Sequence, residues 1–318
     1  MRVVFLATLA FLVLVACESK SLGPPVTVYA AYPEGPYLAE YFLEFTAQTG
    51  TQVTVIFGES SLHVDMILDN RGSPSADVFI TREIEHLWRA GERGALRPIQ
   101  GRNIAAVPDF LKDADNMWAA MNYQFAVIAS RLPLRDEWPR TYVELADPRF
   151  RGQVCVSSAE LPVNRSLIAM LIDEIGLQKA ERTVRGWMLN LAKTPFETDR
   201  KLLAAIETGD CKFGLLSGWI NAAAHSLQAD VATQVVHPEP SYVEIEGVGI
   251  ARHSHNPDAA QALVDWLLSA SSNQQHALAL RAFSIRSGPQ ASISKRNVGI
   301  AGWRDEDAIL LAERAGYH

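Results

Sequence analysis

The sequence predicts an α/β protein of two lobes, each a mostly parallel sheet flanked by helices. Residues 26–81 alternate strand and helix signals in a βαβαβ order, and the middle of the chain, 153–216, repeats the pattern. Alternation of this kind produces parallel strands covered by helices on both faces. The length of 318 residues is also sufficient for two lobes of ordinary domain size.

The first lobe begins with three short apolar, β-branched runs that we expect to be strands, at 26–31, 52–57 and 76–81. The helix after the first strand has Pro36 in its first turn and Gly50 beyond its end. These are the positions that proline and glycine favour around a helix. Ser60 or Ser61 is expected to cap the next helix, which runs to about Asn70.

The second lobe is expected to contain strands at 153–156 and 213–216 and helices at 164–174 and 199–209. Asp199 is a suitable N-cap for the second of these helices. Two further helices are predicted at 256–270 and 305–315, the latter stopped by Gly316.

The order of these elements predicts that one lobe interrupts the other. We predict lobe 1 at 26–121 plus 243–285, and lobe 2 at 122–242 plus 286–318. Ligands of open α/β sheets bind beyond the carboxyl ends of the strands. The residues that directly follow each strand are therefore the candidates for a ligand site between the lobes.

The N-terminus has the features of an export signal. Arg2 precedes an apolar run at 3–15, which is shorter than the roughly 20 residues that span a bilayer. Residues 14–17 resemble the bacterial lipobox, which predicts a signal peptide at 1–16, lipid on Cys17 and a tether at 17–25. An ordinary signal peptide and a signal anchor are the alternatives. We expect a protein of the periplasm or cell surface, held to the membrane by lipid.

Charge and motifs exclude several classes of function. The net charge is −7 and no basic run is present, so we expect no nucleic-acid partner. The sequence lacks a Gly-x-Ser-x-Gly elbow, an HExxH motif, a glycine-rich phosphate loop and zinc-type cysteine spacing. We therefore predict a protein that is not an enzyme, has no cofactor or resident metal, and is a monomer.

Two cysteines remain after Cys17, namely Cys155 and Cys211. In an exported protein an even pair predicts one disulfide, because the compartment is oxidising. Two unconnected buried thiols are the alternative.

The chain resembles the periplasmic ferric-ion-binding proteins and their wider relatives among type II solute-binding proteins. The segments that carry the resemblance are collinear with the family and lie at 28–31, 75–79, 141–152, 164–167, 208–211 and 313–317. The resemblance implies a two-lobed, type II periplasmic-binding-protein-like fold. It also implies lobes that close on a small-molecule ligand and deliver it to an ABC permease in the membrane.

The chain departs from the family at the metal ligands. The adjacent tyrosines that typically hold Fe(III) fall on Trp219 and Ile220, and the family's histidine after the first strand has no counterpart at 32–34. The stretch at 122–126, after Trp118, is neutral where basic residues are common. We therefore expect a small polar organic solute or an anion as the ligand. Ferric-ion binding with non-standard ligands is one alternative, and a lipoprotein sensor or interaction protein without transport is another.

The residues predicted to bind the ligand follow the strands or flank the helix starts. They are Tyr32, Glu34, Glu59, Ser60, Tyr123, Ser157, Ser158, Asn164, Asp199 and Trp219.

Each type of residue has a chemical role and a plainer alternative. Ser157 and Ser158 precede a helix and suit an anion, although serines at this position also cap helices. The indole of Trp219 offers a flat apolar face and one N–H donor, or is packed core. Glu59 lies where iron binders can carry a carboxylate, or is a charge near a helix start. Glu59 and His63, four residues apart, are expected to form a surface pair.

Overall fold

The computed structural model describes residues 24–31, 36–70, 75–133, 135–220, 233–280, 282–286 and 293–318. The predicted signal peptide, Cys17, Tyr32 and Glu34 lie outside the described residues. Within the described residues, no helix combines the length and apolar character needed to cross a membrane.

The described strands are β1 Val26–Ala31, β2 Val53–Phe57, β3 Val78–Thr81, β4 Leu96–Arg97, β5 Trp118–Ser130, β6 Val154–Val156, β7 Phe213–Ser217, β8 Gln234–Val236, β9 Val243–Ala251 and β10 Phe283–Ser284. The described helices are α1 Pro36–Thr49, α2 Ser60–Leu68, α3 Ile84–Glu92, α4 Arg102–Ala105, α5 Pro162–Ile175, α6 Leu177–Leu189, α7 Asp199–Thr208, α8 Pro257–Leu267, α9 Ala270–Ala279, α10 Ile300–Trp303 and α11 Asp305–Ala315. Short 3₁₀ turns lie at Asp109–Leu111, Glu144–Ala146 and Pro148–Phe150.

The strands form a mixed sheet in the order β2-β1-β3-β9-β5-β7-β6, with β4, β8 and β10 paired alongside. The predicted α/β class is confirmed, and the βαβ runs supply parallel pairs, β1 with β2 and β3, and β6 with β7. Antiparallel pairs arise where β5 and β9 join these runs, because both strands pair antiparallel with their neighbours.

Strand β5 connects the two groups of parallel strands. Its residues from Trp118 to Phe125 pair with β9, and those from Ala126 onward pair with β7 and β8. Every residue of β5 is buried, which agrees with its almost uninterrupted apolar sequence. The predicted boundary at 121/122 falls inside this strand. The division into two lobes stays a prediction, and it places β5 and β9 at the crossing between them.

Most of the predicted helices begin and end close to the expected residues. Helix α1 buries Leu38, Phe42 and Phe45 against the sheet, and Gly50 follows it with φ of 75°. The helix predicted at 256–270 ends at Leu267, and a separate helix starts at Ala270. Glu59 occupies the N-cap of α2, so the expected serine cap is wrong.

The predicted disulfide is present. Cys155 and Cys211 are joined by an S–S bond of 2.06 Å, and both residues are buried. Cys155 lies in β6 and Cys211 lies just before β7, so the bridge ties two parallel neighbours of the sheet.

We expect the disulfide to contribute substantially to stability. It closes a loop with a sequence separation of 56 residues, for which the chain-entropy model gives about 4 kcal/mol. Replacing Cys155 and Cys211 together by serine should lower the free energy of unfolding in urea by roughly this amount. Cys17→Ser is the control, and an equal loss in both variants would contradict the prediction.

Candidate functional site

A cavity of about 490 Å³ lies where several strand ends and helix starts meet. Its wall includes residues 82–84, after β3 and at the start of α3, and residues 161–163, at the start of α5. It also includes 198–200, at the start of α7, and Ser217, the last residue of β7. This is the location that the strand-end rule predicts for a ligand.

Asp199 is a bridge between elements rather than a helix cap. Thr198 is the N-cap of α7 and accepts a hydrogen bond from the amide of Lys201, at 3.3 Å, so the predicted capping role of Asp199 is wrong. The Asp199 carboxylate instead accepts hydrogen bonds from the Ser157 hydroxyl and, at 2.8 Å, from the Ser217 amide. Burial raises the pKa of Asp199, while both hydrogen bonds act to lower it.

Glu244 is a second carboxylate at the same wall. The Ser217 hydroxyl donates to its Oε2 at 2.5 Å, and the Gly218 amide donates to its Oε1 at the longer distance of 3.4 Å. Burial raises the pKa of Glu244 to about 8, and the nearby Asp199 charge acts in the same direction. Ser217 therefore links two carboxyl groups whose ionised forms would repel each other, and the nearby Arg82 charge acts in the opposite direction and lowers the pKa of Glu244.

Arg82 and Trp219 form a second polar feature of the cavity wall, and Arg82 carries positive charge. The guanidinium carbon of Arg82 lies 4.3 Å from the centre of the Trp219 ring, within the range of a cation–π contact. Burial lowers the pKa of Arg82 to about 10, although Glu244 acts to raise it. The Nε1 atom of Trp219 is buried and has no hydrogen-bond acceptor in the described part of the chain.

The rest of the wall is largely apolar. Its carbon-rich side chains come from α3, the start of α5, the residues after β7, and β9; they are Ile84, Leu161, Pro162, Val163, Ile220 and Ile245. The cavity therefore combines a charged side with a surface suited to the carbon atoms of a ligand.

A cluster of possible metal-ligating groups borders the cavity at the start of α3. Donor atoms of Glu83, Glu85 and His86 lie within 4.8 Å of one another. The Arg165 guanidinium lies 2.5 Å from Glu85 Oε1, and burial raises the pKa of this carboxyl to about 7. Arg89 lies 2.9 Å from His86 Nδ1. Because two guanidinium groups already contact this cluster, it is best described as an internal ion network.

Several predicted residues support the wall from behind. Ser157 is fully buried and bonds Asp199, and the Asn164 amide donates to the Ser157 hydroxyl at 2.9 Å. Ser158 is half-buried, and its hydroxyl accepts from the Glu160 amide. Ser60 is buried and hydrogen-bonds Glu83, which lines the cavity.

Other predicted residues lie away from this wall. Tyr123 is fully buried and packs on Phe125 and Phe283. Glu59 is exposed, whereas His63 is buried against Tyr29, so the expected surface pair is wrong. Direct ligand contact by the predicted residues stays a prediction. Among those that the structure describes, Asp199 and Trp219 line the cavity.

Sequence reasoning missed Arg82 and Glu244. Arg82 directly follows β3, so the strand-end rule already pointed to it. Glu244 and Glu246 interrupt the apolar sequence of β9 at alternate positions, which is unusual for a buried strand. Glu246 is fully buried and forms a hydrogen bond with His276 at 2.6 Å. The carboxyl groups of Glu244 and Glu246 therefore lie in different environments.

Comparison with known proteins identifies the family of this chain. A family model described as bacterial extracellular solute-binding protein matches residues 26–275. Iron uptake protein A1 of Synechocystis sp. is 28% identical over 242 residues, which cover 72% of this chain and 67% of that protein.

Solved structures agree with the family match. A Trichodesmium protein (IdiA, FutA), in complex with iron and citrate, is 25% identical with a TM-score of 0.85, covering 93% of this chain and 100% of that one. A Bordetella ferric binding protein is also 25% identical, with a TM-score of 0.81 and coverage of 92% and 99%.

The raised pKa of Glu244 predicts how stability depends on pH. The ordinary value is 4.5 and the folded value is about 8, so between these values the folded protein binds a proton that the unfolded chain has lost. Stability should therefore fall as pH rises through this range. In Glu244→Gln this fall should be smaller in urea unfolding between pH 5 and pH 9, a range chosen around those pKa values.

The exposed Glu306 provides a matched control. Glu306→Gln should follow the wild-type pH dependence. Parallel curves for wild type and Glu244→Gln would show that the Glu244 carboxyl is not proton-bound in the folded protein.

Proposed function

Since the chain belongs to the bacterial extracellular solute-binding proteins, which hand small ligands to a membrane permease, we propose that its ligand is ferric iron held without a tyrosine pair. The support from relatives is direct: the similar proteins from Synechocystis, Trichodesmium and Bordetella are named for iron uptake or ferric binding. This proposal replaces the organic solute that the missing tyrosines favoured.

The observation that carries the proposal is the set of carboxylates at the cavity. Glu83, Asp199 and Glu244 all line it, and burial raises the pKa of each carboxyl group. Fe(III) is a hard, highly charged ion that prefers anionic oxygen donors. A bound ferric ion would add its positive charge to that of Arg82, which already lies near Glu244.

Capture and anchoring complete the proposed function. The lobes predicted at 26–121 plus 243–285 and at 122–242 plus 286–318 would close on the ligand, with β5 and β9 as the crossing strands. Lipid on Cys17 would keep the receptor at the membrane that holds the permease.

We expect ferric citrate to raise the melting temperature of the protein. Binding to the native state alone stabilises it by about 2.7 kcal/mol at a hundredfold excess over Kd. Because Trp219 and Ile220 stand where the tyrosine pair is expected, no visible tyrosinate-to-iron charge-transfer band should appear. Asp199→Asn combined with Glu244→Gln should remove most of the thermal shift, whereas Glu306→Gln should retain it.

Either of two results would contradict the proposal. A visible tyrosinate band would show that tyrosine ligates the metal. An undiminished thermal shift in the double variant would show that iron is held elsewhere.

A small organic solute without iron is the second candidate. The apolar wall and the indole of Trp219 favour it, since a bare ion gains nothing from either. A solute screen by thermal shift, repeated with Trp219→Ala, tests this candidate. A solute that stabilises wild type but not the variant would support it, and an unchanged shift would remove Trp219 from the site.

A further inference from the structure

We infer that Arg165 is a positioning residue that holds two walls of the cavity together and sets how readily they separate. Its guanidinium contacts Glu85 of α3 and Asp305 of α11, and these residues are called the Arg165 triad below. The walls belong to different predicted lobes, because α3 lies within 26–121 whereas α5 and α11 lie within 122–242 plus 286–318. The inference concerns access to the cavity, and it goes beyond the proposed function because it does not depend on which ligand is bound.

The Arg165 triad lies directly behind the cavity wall. Ile84 lines the cavity from the start of α3, and Glu85 is the next residue of that helix. Ser166 lines the cavity from α5 and directly follows Arg165. A displacement of α3 relative to α5 therefore changes the distance between these two walls, and the bond between Glu85 and Arg165 opposes that displacement.

The contacts of Arg165 fix its guanidinium from several sides. Its Nη2 atom lies 2.5 Å from Glu85 Oε1, and its Nε atom lies 3.0 Å from Asp305 Oδ1. Its Nη1 atom also donates to the Glu160 carbonyl oxygen at 3.2 Å. A planar guanidinium can hold two carboxylates at once because its donors point in different directions. Asp305 and Glu160 therefore orient Arg165 towards α3.

Glu85 depends on Arg165 for the compensation of its charge. The Glu85 side chain is only 6% exposed, and the Arg165 charge acts against the rise in its pKa that burial causes. The Oε2 atom of Glu85 is buried and has no hydrogen-bond partner among the residues that the structure describes. Exposed ion pairs contribute little, but separating a buried pair leaves an uncompensated charge. The bond between Glu85 and Arg165 is therefore well placed to restrain α3.

Helix α3 also meets the second predicted lobe at a close apolar contact. Helix α10 packs against both α3 and α5. Gly302 of α10 is buried, and a Cβ atom at this position would lie 2.5 Å from the Cβ atom of Trp88 in α3. Packed carbon atoms are normally about 3.5–4.0 Å apart. The glycine therefore allows α10 to approach α3 closely, and this contact and the Arg165 triad together determine where α3 lies.

Small-angle X-ray scattering of the ligand-free protein tests the restraint. Glu85→Gln removes the charge with little change of shape, and we expect it to increase the radius of gyration because the walls separate more often. Asp305→Asn should increase the radius to a smaller extent, since it only loosens the orientation of Arg165. Gly302→Ala should also increase the radius, because the added methyl group meets Trp88.

Arg296→Gln is the matched control. Arg296 lies 2.5 Å from Asp173 and 2.7 Å from Glu174, both in α5. These arginine–carboxylate pairs lie within the predicted second lobe, so their loss should leave the radius of gyration at the wild-type value.

Release of a bound ligand gives a second readout. Ferric citrate is the probe, and its dissociation is followed by stopped-flow tryptophan fluorescence. We expect Glu85→Gln and Arg165→Gln to release it about tenfold faster than wild type or more. Arg165→Lys keeps the charge but loses the planar fork, so its rate should fall between those of wild type and Arg165→Gln. Arg296→Gln should match wild type.

The outcomes separate this inference from the proposed function. A wild-type radius of gyration in a Glu85→Gln protein that still unfolds cooperatively in urea would overturn the inference, as would an equal increase in Arg296→Gln. If Glu85→Gln does not fold, Asp305→Asn and Arg165→Lys decide in the same way. Absence of ferric citrate binding to wild type would contradict the proposed function, whereas the scattering of the ligand-free variants would still decide the inference.

Discussion

The antiparallel pairing of β5 with β9 is the constraint on which the arrangement of the site depends. These strands pair from Trp118 with Gly249 to Phe125 with Val243, with one irregularity between Ala120 and Asn122. Beyond Phe125, β5 pairs with β7, so the Ser217 end of β7 and Glu244 of β9 are brought together across the same strand. The Ser217–Glu244 hydrogen bond at the cavity is a consequence of this pairing.

The cavity wall contains buried carboxyl groups, which are unfavourable in a protein interior. Buried carboxylates are costly unless hydrogen bonds or opposite charges compensate them. Ser157 and Ser217 compensate Asp199 by hydrogen bonding, and Arg165 compensates Glu85 by charge. For Glu244, burial outweighs the hydrogen bonds from Ser217 and Gly218 and the nearby Arg82 charge, so the pKa of its carboxyl is raised. Incomplete compensation at one cavity-facing group is typical of a binding site that is completed by its ligand.

Much of the fold was predictable from the sequence because its signals are local. Strand β1, helix α1 and the disulfide follow from β-branched residues, from Pro36 and Gly50, and from an even cysteine pair. The location of the site was also predictable, because the strand-end rule depends on order alone. Its composition was less so. The partners of Asp199 and Glu244 come from 42 and 27 residues away in the chain, and such contacts leave no periodic pattern. The burial of Ser157, Asn164 and Tyr123 depends likewise on packing between distant elements.

The helix starts that line the cavity have a consequence for how such a receptor changes in evolution. Their attraction for anions resides in the backbone, so it persists whatever side chains occupy the wall. Exchanging Arg82, Trp219 or Glu244 would change the side chains that face the cavity and leave this backbone contribution in place. A receptor of this design can acquire a different cargo through a few substitutions, while the surfaces that meet its transporter are left unchanged.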